Sequence, residues 1–160
     1  MALKPPVSRM KDEVQMRLMI GNGTAQSRPS AIPAAVEEFL RYEPPLERAL
    51  ARWATEDVTL GGRLIRRGEL VVPILAAANR DPEVFADPNE LDFAREENRH
   101  LGFGRGSHYC LGAPLGRMEG EIALTTLLAR LPGLRLDGDV VRWRPVSLFR
   151  GLTALPVAWD

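Results

Sequence analysis

The stretch Phe103-Gly104-Arg105-Gly106-Ser107-His108-Tyr109-Cys110-Leu111-Gly112 carries the only cysteine of the chain, just ahead of a predicted helix. A helix N-terminus has partial positive charge and unpaired amide donors, which favour a thiolate over a thiol. Gly102, Gly104 and Gly106 precede the cysteine and let the backbone turn tightly and pass close to something flat or bulky. No acidic residue occurs between Asn98 and Met118, whereas Arg99, His100, Arg105, His108 and Arg117 do. A thiolate among cationic donors suits a metal whose own ligand carries carboxylates.

Other chemistries stand beside that one. As a dinucleotide loop the segment lacks a third glycine and a clean preceding strand. A phosphate loop needs Gly-Lys-Ser or Gly-Lys-Thr, which is absent. Zinc held by His100, His108 and Cys110 would lack the fourth ligand of a structural site. A cysteine nucleophile with a histidine base is conceivable, but His108 is only two residues away and no histidine follows Cys110. A buried free cysteine in a glycine-rich loop is the plainest alternative.

Outward from the loop, a helix is predicted from about Pro114 to Leu131, ended by Pro132-Gly133. Leu111, Leu115, Met118 and Ile122 fall on one face of it. Upstream, residues 81–98 hold many acids and little periodicity, and read as an ordered meander anchored by Val84, Phe85, Leu91 and Phe93. Residues 51–60 and 63–75 read as antiparallel strands turned at Gly61-Gly62 and Arg67-Gly68, with a helical turn over 76–80. A helix starts near Ser30 to Pro33, with Ser30 as its cap, and Pro44-Pro45 ends it. Residues 11–20 predict a short helix and 21–30 a loop. Residues 134–159 alternate and carry turns at Asp137-Gly138 and Arg150-Gly151, as short strands do. The class is α+β, mainly helical, with a small antiparallel sheet. Residues 1–30 form a divergent segment or linker ahead of the domain over 31–160.

Composition narrows the functions. The 160 residues include 21 Lys plus Arg and 21 Asp plus Glu, so the formal net charge is zero and a globally basic nucleic-acid binder is disfavoured. One cysteine permits no internal disulfide and no multi-cysteine cluster. The longest apolar run, over 70–78, is too short to span a bilayer, and no apolar leader opens the chain. The expectation is a cytoplasmic protein with neither nucleic-acid nor membrane partner.

The pattern Phe103-Gly104-x-Gly106-x-His108-x-Cys110-x-Gly112 resembles the haem-ligand signature of bacterial cytochrome P-450. The resemblance implies that Cys110 is the axial iron ligand of haem b (iron protoporphyrin IX), a thiolate that pushes electron density onto iron. It implies that His108 donates to a haem propionate and that Phe103 packs near the sulfur. Gly104 and Gly112 belong to the same cofactor-binding loop, and His100, in the further match His100-Leu101-Gly102-Phe103, is placed with them. Arg52, in Arg52-Trp53-Ala54-Thr55-Glu56-Asp57, is similar to the strand arginine that reaches a propionate; its planar fork suits a carboxylate. Glu38-Phe39-Leu40-Arg41 looks like the family's Glu-x-x-Arg helix, a structural pair whose spacing puts both side chains on one helical face. Its meander partner is usually an arginine. Here Glu90 stands where many members have one, so Arg95 is the candidate. Ala78-Asn79-Arg80-Asp81-Pro82 and Gly151-Leu152-Thr153-Ala154-Leu155-Pro156-Val157 extend the likeness.

The resemblance covers only the C-terminal haem-binding portion of the family fold. The distal-face motif of Ala/Gly-Gly-x-Asp/Glu-Thr-Thr type is not found. Gly21-Asn22-Gly23-Thr24 echoes it, but Thr24 lies 14 residues before Glu38, too few for the intervening helix. No side chain is therefore assigned a catalytic role, and exposed apolar patches are expected. By inheritance the function is that of a truncated haem-thiolate monooxygenase, an oxidoreductase taking electrons from a ferredoxin-type or flavoprotein donor and acting on a small organic substrate. The alternative is a non-catalytic fragment that binds haem weakly or not at all.

Overall fold

The structure is a computed structural model that describes residues 29–131, 134–138, 142–145 and 149–159. The helix expected over 11–20, the loop over 21–28 and the Pro132-Gly133 stop lie outside the described residues.

A 3-10 turn over Pro29–Ala31 leads into helix α1, Ile32–Tyr42. The cap is Ala31, without a side-chain bond, rather than Ser30: the 3-10 turn carries the chain past Ser30 before the helix begins. Pro33 sits in the first turn, where its missing N–H has no helical partner to lose. The helix closes with Glu43 N–H donating to the Phe39 carbonyl at 2.9 Å, and Pro44 prevents a further turn. Its inner face buries Ile32, Ala35, Val36 and Tyr42 together with the charged Glu38 and Arg41.

Next comes a two-stranded ribbon interrupted midway. β1 (Arg52–Trp53) pairs antiparallel with β4 (Leu70–Val71), and β2 (Val58–Leu60) pairs with β3 (Arg63–Ile65). Gly61 and Gly62, at φ 56° and 76°, form the tight connection, in which both central residues need positive φ. Between the two pairs the ribbon bends, and there Asp57 Oδ1 accepts from the Arg67 amide at 2.8 Å. Residue 75 opens a short helix, α2 (Leu75–Ala78), instead of ending the strand. The following meander is held by buried Phe85 and Leu91, and by Phe93 edge-on to Phe39 at 5.2 Å. Val84, expected as a fourth anchor, is 59% exposed because its neighbour Phe85 takes the inward position.

Helix α3, Ala113–Arg130, packs on α1 through its glycines. A Cβ on Gly120 would lie 3.2 Å from Val36 Cγ1, and one on Gly116 would lie 3.4 Å from Phe103 Cζ. The apolar stripe of the sequence points elsewhere. Leu115, Met118 and Ile122 are about half exposed and Leu111, just ahead of the helix, is fully so, which is the exposed patch expected above. After α3 the tail forms β5 (Arg135–Leu136) paired with β8 (Val157–Ala158), and β6 (Arg142–Trp143) paired with β7 (Leu152–Ala154). Among the described residues no helix is long and apolar enough to cross a membrane.

Candidate functional site

A buried junction in the second half of α1 holds the meander and the approach to the cysteine loop. Arg41 has five N–H donors, and all are used. Nε and one Nη2 hydrogen reach the two carboxylate oxygens of Glu38, both at 2.7 Å. The other three reach the carbonyls of Asn79 at 3.0 Å, Pro88 at 2.8 Å and Glu90 at 2.8 Å. Glu38 in turn accepts from the Asp92 amide at 2.9 Å and from Asn98 Nδ2 at 3.0 Å. Arg95 stands with Nε 3.4 Å from Glu38 Oε2, within ion-pair distance but unaligned for a hydrogen bond, while its Nη1 donates to the Ala86 carbonyl. The meander thus contributes one arginine and several main-chain carbonyls to the pair.

Asn79 connects that junction to the loop. It is fully buried, and its Oδ1 accepts from the Leu101 amide at 2.7 Å. Gly102 follows, so close to α1 that a Cβ would sit 2.9 Å from the Leu40 carbonyl oxygen. The loop then closes on itself. Gly104 N–H donates to Leu101 O at 2.9 Å, Tyr109 N–H to Gly106 O at 3.0 Å, and Cys110 N–H to Phe103 O at 3.0 Å. Gly104 and Gly106 have φ of 75° and 81°, a region that a side chain would strain. Gly106–His108 makes a single 3-10 turn, and α3 begins three residues after Cys110.

The expected site residues divide into two groups. Cys110 is a free, exposed thiol, and His108 and Arg52 are exposed with side chains that make no hydrogen bond or ion pair among the described residues. Gly112 lies beside the sulfur, its position for a Cβ 3.7 Å from Sγ. Phe103 is partly buried under the loop, against α3 and the Tyr109 ring, 6.5 Å away between centroids. His100 belongs to the buried side. Its Nε2 bonds Glu37 at 3.0 Å and its Nδ1 accepts from the Gly102 amide at 2.9 Å. Both ring nitrogens are thus engaged within the chain. Burial, the largest cause, holds its pKa below the ordinary value, only partly countered by Glu37.

Glu37, Asn79, Tyr109 and Arg117 are site residues that the sequence pattern did not single out in these roles. Arg117 donates to Glu37 Oε1 at 2.6 Å and to the Tyr109 hydroxyl at 2.9 Å. Burial alone would raise the pKa of Glu37, but bonds from Arg117 and His100 outweigh it and leave the carboxyl lowered.

A thiol with nearby exposed arginine and histidine, and no carboxylate in the loop, is a donor set for an anionic metal-bearing group. The donors' lack of side-chain partners among the described residues fits such a group, as does the open space around Gly106. No cluster of three or more His, Cys, Asp or Glu that could hold a bare metal ion occurs among the described residues, so the zinc alternative has no support there.

A family model described as Cytochrome P450 matches residues 30–132. Nocardicin C N-oxygenase of Nocardia uniformis subsp. tsuyamanensis is 53% identical over 137 residues, which cover 84% of this chain and 34% of that protein. A biotin biosynthesis cytochrome P450 of Bacillus subtilis (strain 168) is 47% identical over 135 residues, again 84% of this chain and 34% of the relative. Among solved structures, P450BioI in complex with hexadec-9Z-enoic acid ligated acyl carrier protein aligns with a TM-score of 0.83 and 44% identity, over 93% of this chain and 39% of that one. The F286A mutant of the mixed-function P450 MycG, in complex with mycinamicin IV, aligns with a TM-score of 0.83 and 45% identity over 94% and 40%. The chain spans about a third of the length of the curated relatives it matches.

Proposed function

The chain belongs to the cytochrome P450 family, and on that premise we propose that it supplies the cysteine side of a haem-thiolate oxidoreductase of the monooxygenase type. Residues 31–160 are the C-terminal portion of the haem domain in this reading, and residues 1–30 a divergent lead-in. The observation that carries the proposal is the presentation of Cys110: an exposed thiol, fixed by its own amide to the Phe103 carbonyl, two residues after the exposed His108, whose side chain has no partner among the described residues.

Haem is the family's cofactor; when bound it supplies the iron at which molecular oxygen, with two electrons, is used to oxidise substrate. The rest of the work falls to this chain's residues. Cys110 would bind iron through sulfur. Arg52 and His108 would hold the propionates through charge-assisted bonds. The positive φ of Gly104 and Gly106 lets the loop lie flat, and Gly112 leaves room beside the sulfur. No described side chain is given a proton-delivery role. Electrons would come from a ferredoxin-type or flavoprotein donor, the substrate would be a small organic molecule, and the setting cytoplasmic.

The uncovered stripe of Leu111, Leu115, Met118 and Ile122 favours a second reading, in which the chain by itself is a non-catalytic form with weak haem binding. One experiment separates them. Haem is added, reduced and exposed to carbon monoxide. The haem-thiolate reading expects the red-shifted absorption band of a thiolate-ligated complex, and its disappearance in Cys110→Ser. A band that survives the substitution rules out Cys110 as ligand, and no band in the unsubstituted chain favours the second reading. If the band is present, the chain is next supplied with a generic electron donor. The expectation for this chain alone is that reductant is spent mainly on peroxide or superoxide; tight coupling to organic product would overturn that expectation.

A further inference from the structure

Glu37 sits one position before the buried Glu38 on α1 and faces a different neighbourhood. Its Oε2 accepts from His100 Nε2 and from Arg117 Nη2, both at 3.0 Å, and its Oε1 accepts from Arg117 Nε at 2.6 Å. His100 is the entry to the cysteine loop. Arg117 has one more contact that matters, Nη1 to the Tyr109 hydroxyl at 2.9 Å, and Tyr109 is the residue immediately before Cys110. The same guanidinium lies over the Phe103 ring, 4.7 Å from its centroid. One carboxylate therefore ties down both ends of the loop, directly at His100 and through Arg117 at Tyr109.

The loop needs such ties. Gly104 and Gly106 adopt positive φ and add little stiffness, and nothing lies within 4 Å of a Cβ on Gly106. The Glu38–Arg41 junction does not hold the exit, because its bonds end on Asn79, Asn98 and the meander. Asn79 secures only the entry, at Leu101. The Gly102 amide, donating to Nδ1, places the His100 proton on Nε2, so that ring meets Glu37 as a neutral donor. We propose that Glu37 clasps the cysteine loop at both ends and is thereby a positioning residue for Cys110. The spectroscopic consequence of this rests on the haem-thiolate reading; the clasp itself does not.

Two measurements on the full chain test it. The first is amide hydrogen exchange without haem. Glu37→Ala should speed exchange of the Tyr109 and Cys110 amides roughly tenfold or more, the loss of about one charge-assisted bond, while the Leu101 amide held by Asn79 and the middle of α3 stay protected. Tyr109→Phe, which removes only the hydroxyl that Arg117 grips, should reproduce the effect at the exit with the fold intact. The second is the ferrous carbon monoxide spectrum. Glu37→Gln, Arg117→Lys and Tyr109→Phe should each lower the fraction of the red-shifted band when measured well below each variant's own melting temperature. If loop exchange is unmoved in Tyr109→Phe and Arg117→Lys, or Glu37→Ala raises exchange only through global unfolding, the clasp does not exist. If the loop loosens but the band fraction holds, Glu37 does not position the ligand. A missing band in the unsubstituted chain counts against the haem-thiolate reading, and the exchange result still decides the clasp.

Discussion

The Glu38–Arg41 junction and the Cys110 face are both built from polar groups, and they treat those groups in opposite ways. At the junction all five donors of Arg41 and both oxygens of Glu38 have partners inside the chain, and both side chains are almost wholly buried. At the cysteine loop the thiol is free and the His108 side chain has no partner among the described residues, and both are exposed beside the fully exposed Leu111. A polar pair with all its own bonds made is a finished cluster, although Asn79 Nδ2, Asn98 Oδ1 and Arg95 Nε around it are buried without a hydrogen-bond partner among the described residues. An unsaturated one beside uncovered apolar surface is half of a contact. The first fixes the backbone, and the second is what that backbone presents.

The contrast predicts where stability is lost. The largest effect should come from Arg41→Ala, which leaves Glu38 buried without its counter-charge, at about 3–5 kcal/mol. Chemical denaturation should show it, and a loss below about 1 kcal/mol would mean the junction is not the anchor described. Arg41→Lys should rescue little, since an ammonium cannot match the planar fork.

Gly102→Ala comes next. The added methyl meets the Leu40 carbonyl at 2.9 Å and the His100 ring at 3.0 Å, so α1 and the loop must separate. Overpacking of this kind costs about 1–3 kcal/mol. Gly151→Ala, with nothing within 4 Å of its added methyl and no positive φ, is the matched control and should melt like the parent.

Acid should act on the link between the two regions. His100 has its pKa held below the ordinary 6.5, chiefly by burial, so the unfolded chain binds the proton more readily. Stability is then full above pH 6.5 and falls as pH drops below it. Glu37, held below its ordinary 4.5 by Arg117 and His100 against the opposing effect of burial, extends the fall below pH 4.5. In His100→Gln the loss that starts at the higher pH should flatten, as followed by melting temperature between neutral and mildly acidic buffers. An unchanged pH profile would show that this ring is not what acid acts on.

The smallest effect on stability is expected at the proposed iron ligand. Cys110→Ser touches an exposed side chain and should change stability by less than about 0.5 kcal/mol. It should nonetheless remove the thiolate carbon monoxide band completely. A large stability loss from this substitution would erase the distinction between the finished and the unfinished region.

Local chemistry made much of this molecule legible in one dimension. A Glu and an Arg three apart share a helical face, Gly61-Gly62 favours a turn, Pro44-Pro45 must stop a helix, and the glycines before Cys110 spell a tight loop. Each follows from backbone sterics or from a period of a few residues, so sequence determines it by itself. Tertiary structure decided the rest. Arg41 is held largely by the carbonyls of Asn79, Pro88 and Glu90, groups that every residue carries, so they leave no mark in a sequence. Glu37 and Arg117 are 80 positions apart, and only the packing of α1 on α3 makes them neighbours. That packing also settled which side of α3 turns inward. The sequence puts Leu115, Met118 and Ile122 on one face; only the structure shows that Gly116 and Gly120 meet Phe103 and α1 while that apolar stripe stays about half exposed.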